Sequence, residues 1–253
     1  MSGRDAVLGV AGRANSIPGW FNERSHWHGT NGIPHRLEEH LYICAVSLLV
    51  AAVVAMPLAV ALGHIRRGGT GVQQLTNIGR AIPSLAVLVL AVPFLGIGAR
   101  PAELALILLA IPPLFTNTYA GMVGVDADVR DAALGAGMTA WQSTTRIELP
   151  LALPLILAGV RTAAFQVIAT ATLAAVIAYG GLGRYIVDGL AVQDLTQVTC
   201  GSILVIALAL SVEGLFAGFQ RVVVAPPLRS PSRSTPTHQL EESANATRLD
   251  PAT

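Results

Sequence analysis

The chain has 253 residues, of which 53% are hydrophobic and 12% charged, with a mean hydropathy of +0.59 and a formal net charge of +1. A soluble domain carries about a quarter charged residues, so the composition excludes an ordinary soluble protein and indicates a membrane protein. The near-neutral charge gives no reason to expect a nucleic-acid partner. All 16 basic residues are arginine, and because a Walker A phosphate loop needs a lysine, the chain cannot be its own P-loop ATPase.

The N-terminal arm, residues 1–40, contains no early apolar run, so we expect no cleavable signal peptide and a first span that acts as the insertion signal. Trp20, Phe21 and Trp27 precede a charged stretch at 36–40. Aromatic rings beside charged residues are typical of a segment at the level of the lipid headgroups. We therefore predict an interfacial, extracytoplasmic arm.

Histidines are frequent in this arm. Their spacing matches no zinc pattern, and no cysteine or cluster of carboxylates supports one. We therefore expect solvated loop side chains, and no metal site, at His26, His28, His35 and His40.

Five segments are apolar over the roughly 20 residues that a membrane-spanning helix needs. The second is broken by Pro83 and Pro93, and the fourth carries one charge, Arg161. Cys44 and Cys200 lie in apolar runs, where buried thiols are expected rather than a disulfide. We predict an all-α membrane protein with about five transmembrane helices. Its spans are 41–63, 81–99, 104–125, 153–178 and 195–219.

Arginine placement predicts the orientation, because cytoplasmic loops carry an excess of basic residues. With the N-terminus outside, the two short external loops hold only Arg100 and Arg184. The arginines of the N-terminal arm oppose this orientation but are diluted by acidic neighbours. We predict N-out, C-in, with a disordered cytoplasmic tail at 223–253 that is rich in Pro, Ser, Thr and Arg. The arginines on the cytoplasmic side would be Arg66, Arg67, Arg80, Arg130, Arg146, Arg221, Arg229 and Arg233.

A polar segment at 126–150 lies between the third and fourth predicted spans. Asp126 and Asp128 are placed where a helix N-terminus favours negative charge, which predicts a helix through 129–134. Gly135 and Gly137 then allow the backbone to turn without a Cβ clash.

A second helix is predicted at 140–148. Thr139, followed three residues later by Gln142, is a capping-box pattern that begins it. Leu149-Pro150 and Pro154 are expected to end it and lead the chain back towards the membrane. The simpler interpretation is an amphipathic connector between spans. The functional interpretation is a docking element for a protein outside the membrane.

The same segment resembles the EAA loop of ABC-importer permeases, whose pattern is E-A-A-x(3)-G-x(9)-I-x-L-P. Every spacing matches, and the one departure is Asp131 in place of glutamate, which conserves the charge. In that family, the loop forms the coupling helix that docks in a groove of a separate ATP-binding subunit. The resemblance implies that Ala132, Ala133 and Gly137 form a small-residue surface for close docking, beside a polar contact from Asp131. The coupling residues it implies are Asp131, Ala132, Ala133, Gly137, Ile147, Leu149 and Pro150.

Further motifs over about 32–219 resemble the subfamily that imports osmoprotectants such as glycine betaine, choline, carnitine and proline. Several of them, including Gly-Gly-Leu-Gly, are shared with methionine-type permeases. These motifs are Glu39-His40-Leu41, AIPSL at 81–85, NTYAG at 117–121, LPLALP at 149–154, AGVR at 158–161 and GGLG at 180–183.

The resemblance implies a MetI-like permease core with a cytoplasmic coupling helix, working by alternating access in a bacterial inner membrane. Its partners would be an ABC ATPase subunit, a second permease copy or paralogue, and an extracytoplasmic solute-binding protein. The chain would bind no cofactor, since the ATPase subunit uses the ATP. Two alternatives remain: a permease for another small polar solute, such as an amino acid or methionine, and a non-transporting membrane scaffold or sensor.

Polar residues within the spans are candidates for a substrate pathway, although small and hydroxyl side chains also serve close helix packing. Arg161 is expected to bridge to a backbone carbonyl or to Glu148 rather than to touch substrate. Only 5% of the chain is aromatic, and choline-like ligands need aromatic cages, so specificity is expected in the binding protein. The pathway candidates are Asn117, Thr118, Tyr119, Gln166 and Thr170, with Thr172 beside them.

Overall fold

The computed structural model describes residues 16–69, 71, 74 and 83–223, and within these ranges all regular structure is helical. This confirms the predicted fold class. Of the tail predicted at 223–253, Val223 is the last residue of a helix, and residues 224–253 lie outside the described residues, as do residues 1–15 of the arm. Among the described residues, four helices are long and apolar enough to cross a membrane: Ile33–His64, Ala99–Val123, Ala140–Ile177 and Leu195–Val222.

The first long helix begins earlier than the predicted span. A short helix, α1 (Ile17–Asn22), and a 3-10 turn, Arg24–Trp27, precede α2 (Ile33–His64). Because proline fits the first turn of a helix, Pro34 lets α2 begin at Ile33 rather than at residue 41. At about 1.5 Å per residue, its 32 residues extend roughly 48 Å, well beyond a hydrocarbon core of about 30 Å.

The second predicted span contains only a 12-residue helix, α3 (Ser84–Leu95), which is about 18 Å long. Pro83 precedes it, and Gly96 ends it with a φ of 81°. Residues 81–82 of that prediction lie outside the described residues. The third span is α4 (Ala99–Val123), which continues through Pro112 and Pro113.

Two helices of the polar segment, α5 (Ala127–Gly135) and α6 (Ala140–Ser143), follow α4. The expected stop at Pro150 is wrong. A π-helical turn over Thr144–Glu148 leads directly into α7 (Leu149–Ala171), and a 3-10 segment over Thr172–Ile177 prolongs it, so the helical path runs unbroken from Ala140 to Ile177. Proline is tolerated at the start of a helix. In addition, the wider π turn before Pro150 changes the hydrogen-bond partners of the backbone carbonyls that the proline ring would otherwise meet.

The last two helices are α8 (Gly183–Ala191) and α9 (Leu195–Val223). In α9, only 6% of the most apolar window is buried, against 33–50% in the other long helices. The chain by itself therefore leaves most of this apolar window uncovered.

The core lies where α2, α4 and α7 pack together. Its α2 side is a row of small, buried residues spaced four apart: Ser47, Ala51, Ala55, Ala59 and Gly63. Small side chains let helix backbones approach closely. At the end of the row, a Cβ on Gly63 would lie 2.5 Å from Met122 Cβ, so only glycine fits there.

A second cluster joins the N-terminal arm to α8 and α9. Trp20 is 3% exposed, stacks on His26 at 4.0 Å and meets Tyr185 edge-on. The arm is therefore anchored on the protein rather than only at a lipid interface. Cys44 and Cys200 are both buried and unpaired, as expected.

The contact between α4 and α7 is closest at Gly159. A Cβ there would lie 2.7 Å from Asn117 Cβ and 3.0 Å from the Pro113 carbonyl. Asn117 Nδ2 donates to the same carbonyl at 2.8 Å.

Replacing Gly159 with alanine is expected to push α4 and α7 apart and to destabilise the protein by about 1–3 kcal/mol, as overpacking does. Gly135→Ala is the matched control, because a Cβ at Gly135 meets nothing within 4 Å. Thermal unfolding of the purified protein in detergent should show a lower midpoint for Gly159→Ala and an unchanged or higher one for Gly135→Ala. Equal midpoints for the two variants would contradict this packing.

Candidate functional site

The polar segment after α4 is held by local caps. Asp126 caps α5, because its side chain accepts the Asp128 backbone N–H at 2.9 Å. The predicted helix is confirmed, beginning two residues earlier than expected at Ala127.

Helix α5 ends in a Schellman motif. The Gly137 N–H donates to the Leu134 carbonyl at 2.9 Å, and the Met138 N–H donates to the Ala133 carbonyl at 3.2 Å. Gly137 has a φ of 84°, in the left-handed region that favours glycine. The turn predicted at the two glycines therefore depends on Gly137, whereas Gly135 is the last residue of the helix.

The capping box at the start of α6 is confirmed. The Gln142 N–H donates to Thr139 Oγ1 at 3.3 Å, and the Thr139 N–H donates to Gln142 Oε1 at 2.9 Å. These reciprocal bonds fix the angle at which the chain leaves the Gly137 turn.

The residues of the EAA-like pattern divide into an exposed set and an inward set. Asp131, Ala132, Gly137 and Pro150 are exposed, while Ile147 and Leu149 are half-buried. Ala133 is 8% exposed and faces inward, so it adds little to an outer small-residue surface.

Large apolar side chains also lie on the outside of this segment, and the sequence analysis did not single them out. Val129 is 41% exposed, Leu134 46% and Trp141 76%. Such side chains on an otherwise polar segment are typical of binding surfaces. The signal in the sequence was that Leu134 and Trp141 lie between motif residues and Val129 lies just before them.

A buried polar cluster lies beneath this surface, centred on Glu148, whose side chain has no exposed area. His64 Nδ1 lies 2.9 Å from Glu148 Oε1 and 3.1 Å from Oε2, and Ser143 Oγ donates to Oε1 at 3.1 Å. Arg130 Nε lies 3.5 Å from Oε1, within ion-pair distance but without hydrogen-bond geometry. Thr144 Oγ1 lies 2.9 Å from the same His64 nitrogen. We name these five residues the Glu148 cluster.

The structure does not bring the pathway candidates together. Asn117 packs against Gly159, and Thr118 is fully buried, with no hydrogen-bond partner for its hydroxyl in the part of the chain that the structure describes. The Tyr119 hydroxyl is 3.5 Å from the Arg67 carbonyl. On α7, Gln166 and Thr170 are half-buried, and Thr170 borders a cavity of only about 10 Å³ beside α3 and α4.

Arg161 bonds to neither partner that was expected of it. It forms an ion pair with Glu213 of α9, and its Nε donates to Glu213 Oε1 at 2.8 Å. Glu148 lies 13 residues, or about 20 Å, along the same helical path, which is too far for Arg161 to reach. The pair is about one-third exposed and borders an open hollow of about 420 Å³ that Thr162 and Phe165 also line.

At the opposite end of α2, the Glu39-His40-Leu41 motif contacts the GGLG motif at 180–183. The Gly181 N–H donates to Glu39 Oε2 at 2.8 Å, and a Cβ on Gly180 would lie 2.0 Å from the same oxygen. His40 is 1% exposed, and its Nε2 is 3.1 Å from the Ile168 carbonyl. The expectation that His40 is a solvated loop residue is therefore wrong, because α2 begins before it and turns its ring onto α7.

Tyr179 adds to this contact. Its hydroxyl donates to the Glu39 carbonyl at 3.3 Å. Burial raises the pKa of Tyr179 to about 12, and the Glu39 and Glu103 carboxylates add to the shift. The phenol therefore keeps its proton, and with it the donated hydrogen bond, at physiological pH.

Within the described ranges, no three His, Cys, Asp or Glu side chains come together as a metal site.

Comparison with known proteins identifies the family of this architecture. Residues 48–230 match the family described as the inner membrane component of binding-protein-dependent transport systems. The glycine betaine/carnitine/choline transport system permease protein OpuCB of Bacillus subtilis (strain 168) is 38% identical over 205 residues, which cover 80% of this chain and 94% of that protein. The osmoprotectant import permease protein OsmY of Salmonella typhimurium is 37% identical over 186 residues, which cover 73% and 79%.

Solved structures share the fold. An inward-facing structure of the MetNI methionine ABC transporter has a TM-score of 0.66 at 22% identity and covers 76% of this chain and 96% of that chain. An amino acid ABC transporter solved with histidines has a TM-score of 0.59 at 19% identity and covers 75% and 93%. The MetI-like permease fold expected from the sequence is confirmed.

Replacing Gly137 is expected to open the Schellman turn, and the extent of opening depends on how well the new residue tolerates the left-handed region. Valine should cost at least about 1–2 kcal/mol there, whereas asparagine, of similar size, visits this region readily. Hydrogen exchange of the Met138 amide, which closes the turn, should therefore accelerate in Gly137→Val and stay near wild type in Gly137→Asn. Exchange at the wild-type rate in Gly137→Val would show that the turn does not depend on glycine.

Proposed function

The chain belongs to the family of inner membrane components of binding-protein-dependent transport systems, and from this premise we propose that it is the permease of an ABC importer for osmoprotectants. The observation that carries the proposal is the capped, exposed segment at 126–150 between two spans, with Asp131, Ala132 and Gly137 on its surface. Relatives whose names specify glycine betaine, carnitine and choline support this class of cargo.

A separate ATPase subunit docks on the exposed side of α5 and α6. Asp131 supplies a carboxylate for a basic partner, and Ala132 and Gly137 let the partner's backbone approach closely. Leu134 and Trp141 provide the apolar area that such interfaces need at their centre. Hydrolysis of ATP is assigned to that subunit because this chain has no lysine for a phosphate loop.

The orientation we propose is N-out, C-in. The Glu148 cluster joins the docking segment to the His64 end of α2, whereas the arm precedes the Ile33 end of the same long helix. A cytoplasmic docking segment therefore supports an arm on the outer side. Arginine placement supports the same orientation.

The exposed Arg161–Glu213 pair supports a second permease chain as partner. Charged side chains within spans face protein or water rather than lipid, yet in one protomer this pair stands about one-third exposed beside the sparsely covered α9. A second copy, or a paralogue, that covers this face would enclose the pair. The hollow of about 420 Å³ beside it would then lie between the two chains and could admit water and solute.

Uptake measurements test the cargo. Labelled glycine betaine should accumulate at high osmolarity in cells that express this chain with its ATPase and binding protein, and carnitine, choline or proline should compete. Methionine should not compete, because we assign it to a different branch of the same fold. Competition by methionine alone would favour the amino-acid alternative, and ATPase association without flux of any solute would favour a scaffold.

A bulky side chain on the exposed face tests whether a second permease chain packs there. Thr162 is exposed beside the Arg161–Glu213 pair, and Ala45 is exposed on α2. Thr162→Trp should raise the dissociation constant of the pair by about 5- to 150-fold and so lower the paired fraction, since overpacking at an interface costs about 1–3 kcal/mol, whereas Ala45→Trp should not. Co-purification of two differently tagged permease chains measures this fraction, and equal recovery for both variants would exclude the surface.

A further inference from the structure

We propose that Glu148 is a positioning residue that ties the docking segment to the cytoplasmic end of α2, so that a movement imposed on the segment is transmitted to the first span. This inference rests on the proposed function, since it assigns the route by which the docked ATPase acts on the membrane helices. Glu148 occupies the variable position of the I-x-L-P pattern, between Ile147 and Leu149, so the pattern itself assigns it no role.

The first argument is burial. The Glu148 side chain has no exposed area, yet it lies in the segment that carries the docking surface. A buried carboxylate is stable only while polar partners compensate for its lost hydration, and removal of one partner is strongly destabilising. The partners of Glu148 must therefore move with it.

The second argument is where those partners come from. His64 belongs to the end of α2, Arg130 to α5, and Ser143 to α6. One carboxylate thus joins both helices of the docking segment to the first span, across 84 residues of sequence in the case of His64. Thr144 contacts the same His64 nitrogen and adds a second contact between α2 and the docking segment.

The third argument is the π-helical turn over Thr144–Glu148, in which the Leu149 N–H donates to the Thr144 carbonyl. In an α-helix, side chains three and four residues apart are neighbours. The wider turn instead brings Ser143 and Glu148, which are five apart, within 3.1 Å. The irregular geometry therefore serves to aim Glu148 inward, a use that π turns commonly have at functional positions.

The fourth argument is that the end of α2 has little freedom to slip. Gly63 packs against Met122 so closely that a Cβ would lie 2.5 Å away, and Arg66 donates from Nη2 to the Val125 carbonyl just before α5. A pull on Glu148 through His64 therefore reaches a helix end that is held against α4 and the residues that follow it.

The test uses the assembled complex of permease, ATPase and binding protein in vesicles. Glu148→Gln should still assemble and hydrolyse ATP, but solute moved per ATP should fall about tenfold, within the range of coupling between distant sites. Glu148→Asp should retain more of this ratio. Asp188→Asn is the matched control, because Asp188 pairs with Arg184 at 2.7 Å on the surface of α8, away from the docking segment.

His64→Gln should reduce the same ratio, and the double variant with Glu148→Gln should be no worse than either single variant, since residues that act through one contact are not additive. A wild-type ratio in Glu148→Gln would overturn the inference. Loss of ATPase association in that variant would also overturn it, because Glu148 would then serve only the structure of the docking surface.

A distance measurement separates this inference from the proposed function. Spin labels at Ile65→Cys and Ala136→Cys, both exposed positions, report the separation of α2 and the docking segment in a background without Cys44 and Cys200. Dilution with unlabelled permease leaves one labelled copy per pair. Glu148→Gln should broaden the distance distribution, and an unchanged distribution overturns the link. Absence of osmoprotectant uptake by the wild-type complex would refute only the proposed function.

Discussion

The close approach of α2 to α4 and α7 is the constraint on which both ends of the permease depend. Because the α2 side of this interface is a row of small residues from Ser47 to Gly63, the backbone of α2 lies close to its neighbours and has little room to shift. The ends of α2 are therefore held at fixed positions relative to α7. Only for that reason can Glu39 and His40 reach their partners at one end and His64 reach Glu148 at the other.

The two ends of α2 use the same pair of side-chain types in different ways. At the Ile33 end, Glu39 accepts the N–H of Gly181 and His40 is directed at a carbonyl of α7, so backbone groups are held by side chains. At the His64 end, His64 and Glu148 meet directly, so the contact depends on two side chains. The first contact requires glycine at Gly180, because a Cβ there would lie 2.0 Å from Glu39 Oε2, whereas the second is lost if either side chain is changed.

What could be predicted from the sequence was the local chemistry. The cap at Asp126, the capping box at Thr139 and the left-handed turn at Gly137 involve neighbours in the chain, so short patterns specify them. The path of the helix through Pro150 could not be predicted, because the π turn that precedes it is aimed by the distant contact with His64. Ala133 matched the pattern but faces inward, since the motif records residue type and not the direction of the side chain. The four-residue spacing of small residues in α2 was visible in the sequence and would have indicated its packed face.

The unbroken helical path from Ala140 to Ile177 has a mechanical consequence. Its 38 residues extend about 57 Å, so a single rod begins in the polar segment that follows α4 and ends two residues before Tyr179. A tilt of its Ala140 end would swing its Ile177 end without a relay of side chains in between. The rod departs from α-helical geometry at two places, the π turn over Thr144–Glu148 and the 3-10 segment over Thr172–Ile177. Bending is cheapest where the regular hydrogen-bond ladder is already interrupted, so these two joints set the length of helix that moves as one unit.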